Sequence, residues 1–213
     1  MCIVGVHKKD MKIYLVRHGQ TDWNITGRFQ GWADIPLDAS GIEHAKNVSH
    51  FFKDVDIDVL YSSDLIRALQ TTTPLSIHKS LPIFIDNRFR ELSVGEWEGK
   101  NWSELSQVYK EFIERSSKNG FTETIPGGES LKAFQDRMAS GFESMVQRHV
   151  GKDIVLVTHG GSIRVLLCYL MNVPLIRRDE FPAENGSVYI LEYHPLSKTT
   201  TIIDKVQTNQ FSG

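Results

Sequence analysis

Two short runs of this 213-residue chain set histidine where chemistry is most readily built. Leu15-Val16-Arg17-His18-Gly19 and Leu156-Val157-Thr158-His159-Gly160 share a Leu-Val-x-His-Gly skeleton. Each closes an apolar stretch, Met11 to Val16 and Ile154 to Val157, that reads as a buried strand. In α/β proteins the carboxyl end of a strand, followed by a glycine turn, is where ligands collect. An imidazole there can serve as nucleophile, proton carrier or metal ligand. Arg17 adds a rigid fork of donors suited to phosphate or carboxylate. One such histidine, taken alone, reads as structural and tied to a backbone carbonyl. Two in the same context, on strands able to pair in parallel, argue for one shared site at a sheet edge.

Other candidates gather around these two. Arg67 falls in the first turn of a predicted helix, where a cation opposes the helix dipole unless an anion sits beside it. The stretch Arg88 to Gly99 holds Glu91, Glu96 and Glu98 with Arg88 and Arg90 between glycines and short elements, a plausible acid/base loop; composition does not choose among the glutamates. Ile25 to Pro36 is a long loop directly after the first histidine and carries Arg28, Phe29 and Gln30. His44 and His50 lie six apart on a helix, do not share a face, and read as surface residues.

These residues need a frame. Asp38 or Ser40 caps a helix of about residues 39–54, with Ile42, Ala45, Val48, Phe51 and Phe52 on one face. Ile57 to Tyr61 is a second strand, and Ser62-Ser63-Asp64 caps the helix that carries Arg67. Pro82 to Ile85 is a short strand. Helices follow at 101–117 and, with Ser130 as a possible cap, at 129–149. Gly160-Gly161-Ser162 leads from the second histidine strand into a helix of about 162–171. Residues 187–193 and 199–205 are closing strands. Helices alternating with strands predict an α/β fold, a three-layer α/β/α sandwich around a mostly parallel central sheet.

The bulk numbers exclude several classes. Hydrophobic residues make up 40% and charged residues 23%, ordinary for a globular domain, and the net charge of −2 supplies no global basic field for nucleic acid or membrane. Any anion site must be local. Cys2 and Cys168 form no ligand spacing and point to a reducing, cytoplasmic setting. No apolar run reaches the length of a membrane span, and the first residues lack the apolar core of a signal peptide. Residues 1–10 read as a leader or appended segment with no assigned function, and 11–213 as a single domain. No cluster with metal-ligand spacing occurs, so neither metal nor other cofactor is expected. The sequence does not reveal an oligomeric state.

Taken together the motifs run in a recognisable order from Lys12 to about Val206. They are Arg17-His18-Gly19-x-Thr21-x-Trp23-Asn24, Gly27-Arg28-x-Gln30-Gly31-x-x-Asp34-x-Pro36-Leu37, Ser62-Ser63-Asp64-x-x-Arg67-Ala68-x-Gln70-Thr71, Arg90-Glu91 with Gly95-x-Trp97-Glu98-Gly99, Pro126-x-Gly128-Glu129-Ser130, and Thr158-His159-Gly160-Gly161. The series resembles the histidine phosphatase superfamily, which includes the cofactor-dependent phosphoglycerate mutases and related acid-type phosphatases. The resemblance implies a phosphoglycerate mutase-like fold and a phosphohistidine on His18. By the same resemblance Arg17, Arg67 and a protonated His159 would clamp the phosphoryl oxygens, Asn24, Gln30 and Gly160 would complete the phosphate site, and Glu91 would be the general acid and base. The attacking His18 must be neutral, so its other nitrogen is expected to donate to a backbone carbonyl.

Within the superfamily, the short stretch 100–125, Gln30 where mutases usually carry Thr, and the run Arg90 to Gly99 resemble the phosphatase branch. The expected activity is therefore a metal-independent phosphomonoesterase acting on a small molecule. A mutase is the alternative, and a non-catalytic phospho-ligand module, which loss of a catalytic residue would signal, is the more distant one. Phe29, Trp32, Phe112 and Phe121 are candidates to wall an apolar substrate pocket.

Overall fold

The computed structural model describes residues 10–208. The reading of residues 1–10 as a leader therefore falls almost wholly outside the described residues. Among the described residues, six strands form one sheet in the order β3-β2-β4-β1-β5-β6. They are β1 (Met11–Arg17), β2 (Val59–Ser62), β3 (Ile83–Ile85), β4 (Ile154–Thr158), β5 (Ser187–His194) and β6 (Thr199–Gln207). The first four run parallel, and β5 and β6 close the sheet antiparallel. A mostly parallel α/β sandwich is thus what the chain forms.

Among the described residues the α-helices are α1 (Asp22–Ile25), α2 (Ala39–Phe51), α3 (Ile66–Lys79), α4 (Trp102–Lys118), α5 (Leu131–Arg148) and α6 (Gly160–Leu170), of which α2 and α3 pack on one face of the sheet and α5 and α6 on the other. Strand alternation sorts the side chains to two cores. Ile13 and Leu15 of β1, with Ile154 and Leu156 of β4, pack against Phe134, Met138 and Phe142 of α5 and Ile163 of α6. Tyr14, Val16, Val155 and Val157 face the other way, onto Val48 of α2, Phe52, and Ala68 and Leu75 of α3. A third, smaller cluster of Val94, Trp97, Leu105, Phe112 and Ile125 joins α4 to the loop that follows β3.

This arrangement opens the site. β1 and β4 are neighbours, with Arg17 opposite Thr158. Helix α2, the second after β1, packs on one face of the sheet and α6, which follows β4, on the other. The two chains diverge just beyond the strand ends, leaving a crevice there. His18 sits at its floor, with the ring of His159 behind it, the two centroids 5.1 Å apart.

Several local expectations change. Asp38 does cap α2, its Oδ1 accepting from Gly41 N at 2.7 Å, but Ile42 stays exposed. The second strand begins at Val59, two residues later than its apolar pattern suggests. No Ser62-Ser63-Asp64 side chain caps α3: Leu65 holds the cap position, and Ile66 N donates to Asp34 Oδ1 at 2.6 Å, across from the preceding loop. Asp64 is instead drawn into a two-pronged ion pair with Arg90. His44 is half-buried rather than on the surface, because its Nδ1 accepts from Gln20 N just after the first histidine turn. Helix α6 starts at Gly160, directly after His159. No helix of the described residues is long and apolar enough to cross a membrane.

Candidate active site

The turn after β1 owes its shape to close backbone packing. A Cβ on Gly19 would sit 2.4 Å from Gly41 O, and one on Gly41 would sit 2.0 Å from Gln20 O. Only glycine admits such an approach. Gly19 N donates to Thr71 Oγ1 at 2.9 Å, which ties the turn to α3. Thr21 caps the short α1 through a reciprocal pair with Asn24. The Asn24 amide oxygen accepts from Thr21 and from Asn185, so its NH2 group is the end left for a ligand.

His18 is 3% exposed. Its Nδ1 lies 2.6 Å from Gly19 O, and a carbonyl can only accept, so Nδ1 carries the proton. Nε2 then holds the lone pair on the side of the cavity that His18 lines. Burial, and then the charges of Arg67 and Arg17, push the His18 pKa well below 6.5. The ring is neutral at pH 7, as a nucleophile requires.

Around it, Arg67 is buried and Arg17 half-buried, and both keep their charge, although desolvation lowers each to about 10. Arg17 donates one N–H to Ala183 O at 2.6 Å, and its Nε is buried without a partner. Arg67 gives Nε to His159 Nδ1 at 3.2 Å and its two other nitrogens to Ala33 O and Gly31 O. Three of its five N–H groups are engaged, and two remain. The conflict between Arg67 and the dipole of α3 is met partly by Asp34, whose carboxylate caps that helix and acts on the Arg67 charge.

Two sequence expectations are corrected at the second histidine. His159 is fully buried and does not line the cavity. Its Nδ1 accepts from Arg67 and its Nε2 donates to Ser63 Oγ at 2.9 Å, so both ring nitrogens are spent within the protein. Burial first, then Arg67, His18 and Arg17, lower its pKa well below 6.5. The ring is neutral, because a proton on Nδ1 would break the Arg67 bond in a site that already holds two cations. Gly160 likewise lies beneath Arg17: a Cβ there would sit 3.2 Å from Arg17 Nε. Gly161, not Gly160, faces the cavity.

Glu91 also lines the cavity. Its Oε1 accepts from Leu92 N at 2.9 Å and its Oε2 from Gly161 N at 3.0 Å, at the start of α6. The backbone that carries it is fastened from several sides. Thr158 Oγ1 donates to Phe89 O, Ser162 Oγ to Arg90 O, and Arg137 to the carbonyls of Arg88, Arg90 and Glu91. Arg137 is itself held by Glu129, and Trp32 Nε1 donates to Glu91 O at 2.8 Å. Among the described residues, no three His, Cys, Asp or Glu side chains cluster to hold a metal ion.

The cavity, of about 250 Å³, also takes in Asn24, Gln30 and Phe29. Gln30 Oε1 is buried there without a partner. Of the four aromatic candidates only Phe29 lines it. Trp32 lies over Arg90 at 4.8 Å, and Phe112 and Phe121 are buried in the cores. Trp102 and Tyr109 of α4 supply the aromatic wall instead.

The model of the histidine phosphatase superfamily (branch 1) matches residues 13–203. The chain belongs to the histidine phosphatase superfamily. Phosphoserine phosphatase 1 of Hydrogenobacter thermophilus is 30% identical over 85% of this chain and 86% of its own length. An Escherichia coli protein named "Probable phosphoglycerate mutase GpmB" is 33% identical over 86% of this chain and 85% of its own. Among solved structures, phosphoserine phosphatase from Entamoeba histolytica, in complex with phosphoserine, superposes with a TM-score of 0.82 at 26% identity, covering 95% of this chain and 100% of that one. Alpha-ribazole phosphatase from Shigella flexneri gives 0.78 at 28% identity, covering 90% and 94%. By class this histidine phosphatase is a phosphoric monoester hydrolase.

Sequence reasoning missed three supports of the site. Asn185 donates to His18 O, Gly19 O and the Asn24 amide at 3.0 to 3.2 Å. It lies 166 residues beyond Gly19, in a segment with no motif of its own. Arg137 sits within an amphipathic helix, where a cation reads as solvated. Arg178 is 7% exposed on a short 3-10 turn (Leu175–Glu180) that looks like a charged loop in sequence.

Proposed function

We propose that this histidine phosphatase is a phosphomonoesterase working through a phosphohistidine on His18, with Glu91 as general acid and then general base. Residues 11–213 form its one catalytic domain, and its substrate is a small phosphorylated molecule, the class that phosphoserine phosphatase acts on. The observation that carries the reading is the neutral His18 with Nδ1 bound to Gly19 O and its other nitrogen free beside Arg17 and Arg67.

In the first step the Nε2 lone pair forms the N–P bond as the P–O bond to the alcohol breaks. Glu91, in its acid form, delivers a proton to the departing oxygen. Arg17 and the free N–H groups of Arg67 offset the phosphoryl charge, the role in which such transfers depend most on the protein. Asn24 and Gln30 border the same oxygens. The phosphorylated ring keeps its Nδ1–H and becomes cationic, with Gly19 O accepting from it. In the second step the Glu91 carboxylate takes a proton from water. The water oxygen bonds phosphorus, the N–P electron pair returns to Nε2, and inorganic phosphate leaves. His159 acts through Arg67, whose Nε it holds.

The test is phosphate release from p-nitrophenyl phosphate in EDTA, wild type beside His18→Ala. Release that persists in EDTA and vanishes in the variant is expected. Release that survives the substitution would remove His18 from the mechanism. Isomerisation of 3-phosphoglycerate without release of phosphate would assign the histidine's phosphoryl group to a sugar acid rather than to water.

A further inference from the structure

The charges around the cavity do not balance. Arg17, Arg28, Arg67, Arg164 and Arg178 line it, against the carboxylates of Glu91 and Asp179. A phosphoryl group on His18 accounts for Arg17 and Arg67. Of the remaining three, Arg164 and Arg178 both face the single carboxylate of Asp179.

Arg178 is the most costly of them. It is 7% exposed, and its donors go to the neutral acceptors Leu175 O and Tyr109 Oη. Its nearest carboxylate is Asp179 at 3.9 Å, and that side chain is 67% exposed. A buried cation without close counter-charge is destabilising unless something else neutralises it. Arg164, one turn into α6, donates to the same Asp179 at 3.1 Å, and its Nε is buried with no partner. Its charge also acts on Arg17. One exposed carboxylate is thus shared by two arginines, one of them with a buried donor unmet.

We propose that Arg164 and Arg178 form a second anion subsite, so that the preferred substrate is a phosphomonoester whose alcohol portion carries its own acidic group. This rests on the reading of His18 as the nucleophile in the same cavity. Arg164 contacts the second anion directly with its unspent N–H groups. Arg178, locked to α4 through Tyr109, supplies fixed positive potential behind it. The aromatic wall of Phe29, Trp102 and Tyr109 bounds the carbon chain between the two anions.

The experiment compares three series matched for chain length, with two to six methylenes: ω-carboxyalkyl phosphates, α,ω-alkyl bisphosphates and plain alkyl phosphates. The readout is the ratio of kcat/KM for the acidic ester to that for the plain ester, within each enzyme, so that general losses cancel. Charge-assisted hydrogen bonds predict a wild-type ratio of about 10 to 100 at the best length, falling with added salt. In Arg164→Gln the ratio should fall toward one, and Arg164→Lys should restore part of it. The carboxylate and bisphosphate arms show which second anion the subsite takes. Equal turnover of acidic and plain esters by wild type overturns the proposal and leaves the phosphatase reading intact. So does a preference that Arg164→Gln leaves untouched. Calorimetry on the His18→Ala protein separates the remaining case. If wild type turns over none of the esters, yet this variant binds acidic esters more tightly than plain ones, the subsite stands and the nucleophile reading falls. Equal binding overturns both.

Discussion

Gly161→Ala tests the placement of Glu91 without touching the carboxyl itself. Gly161 is the second residue of α6 and donates its N–H to Glu91 Oε2. A Cβ added there would lie 2.3 Å from Glu91 Oε1, 3.1 Å from its Cδ and 3.3 Å from Oε2. The backbone at Gly161 is not left-handed, so alanine brings no conformational strain, and in a helix it gains about 0.5 to 1 kcal/mol over glycine. Glu91 must therefore retreat by about 1 Å, the scale at which misplacing a reacting group costs about 10²-fold in rate. The loss should fall on esters with poor leaving groups, because they need the proton that Glu91 delivers. With p-nitrophenyl phosphate, whose leaving group departs as an anion, the loss should be several-fold at most.

The assay is kcat/KM on an alkyl phosphate and on p-nitrophenyl phosphate for wild type, Gly161→Ala, Glu91→Gln and the double variant. Glu91→Gln alone should cost about 10²- to 10⁴-fold on the alkyl ester. Gly161→Ala should add little to it, since both changes remove one function. Melting temperatures should match or exceed wild type for Gly161→Ala. Equal losses on both esters, or full additivity in the double variant, would refute the assignment of Glu91 as proton donor.

Other outcomes follow from the same contacts. His18 and His159 are neutral when folded and titrate near 6.5 when unfolded, so between those values the unfolded chain binds more protons and stability falls as pH drops below about 6.5. Each contributes a slope of up to about 1.4 kcal/mol per pH unit; urea titrations at several pH values should show His18→Gln losing one such contribution, and unchanged slopes would contradict its neutrality. Asn185→Ala should lower both melting temperature and kcat, and Asn185→Asp should lower them further, since a carboxylate would face the carbonyls of His18 and Gly19; a benign aspartate would mean that Asn185 does not hold the turn. Asp34→Ala should cost about 1 kcal/mol in denaturant unfolding through loss of the α3 cap, and no change would return that role to Ser63 or Asp64.

What could be read in the sequence divides along range. The strand ends at His18 and His159 were visible because an apolar run, a histidine and a glycine turn are local signals, and the α2 cap at Asp38 is another. The resemblance supplied the order of the motifs around them. Arg67 stands out in the sequence by its misfit with a helix dipole, and in the fold it is fully buried. The errors lie where partners come from far along the chain. The cap of α3 is Asp34, 32 residues from the N–H it accepts. The protonation of His159 is not legible locally, because its environment, Arg67 on one nitrogen and Ser63 on the other, comes from residues more than 90 positions away. Phe112 and Phe121 carry no mark that distinguishes a core aromatic from a pocket wall, while Trp102 and Tyr109 reach the cavity only because of how α4 packs.

The electrostatics of the site then explain why two arginines and a neutral histidine belong together. Burial lowers Arg17 and Arg67 to about 10, still far above neutrality, so both cations persist in a poorly solvated floor. Burial first, and then these two charges, make a third cation costly, which keeps His18 unprotonated and its lone pair available. The same field opposes the cationic ring that forms when His18 takes the phosphoryl group, so that intermediate is tolerable only while the phosphoryl charge is present to offset it. An oxyanion should consequently stabilise the empty enzyme strongly. Vanadate or phosphate at about 100 times its dissociation constant should raise unfolding free energy by about 2.7 kcal/mol, with a matching rise in melting temperature. Arg17→Gln should weaken the anion and abolish most of that rise at the same concentration. It should also let the His18 pKa climb toward 6.5, since one of the two charges holding it down is gone. A variant that lost anion binding while its His18 titration stayed where it was would break the link between the two effects.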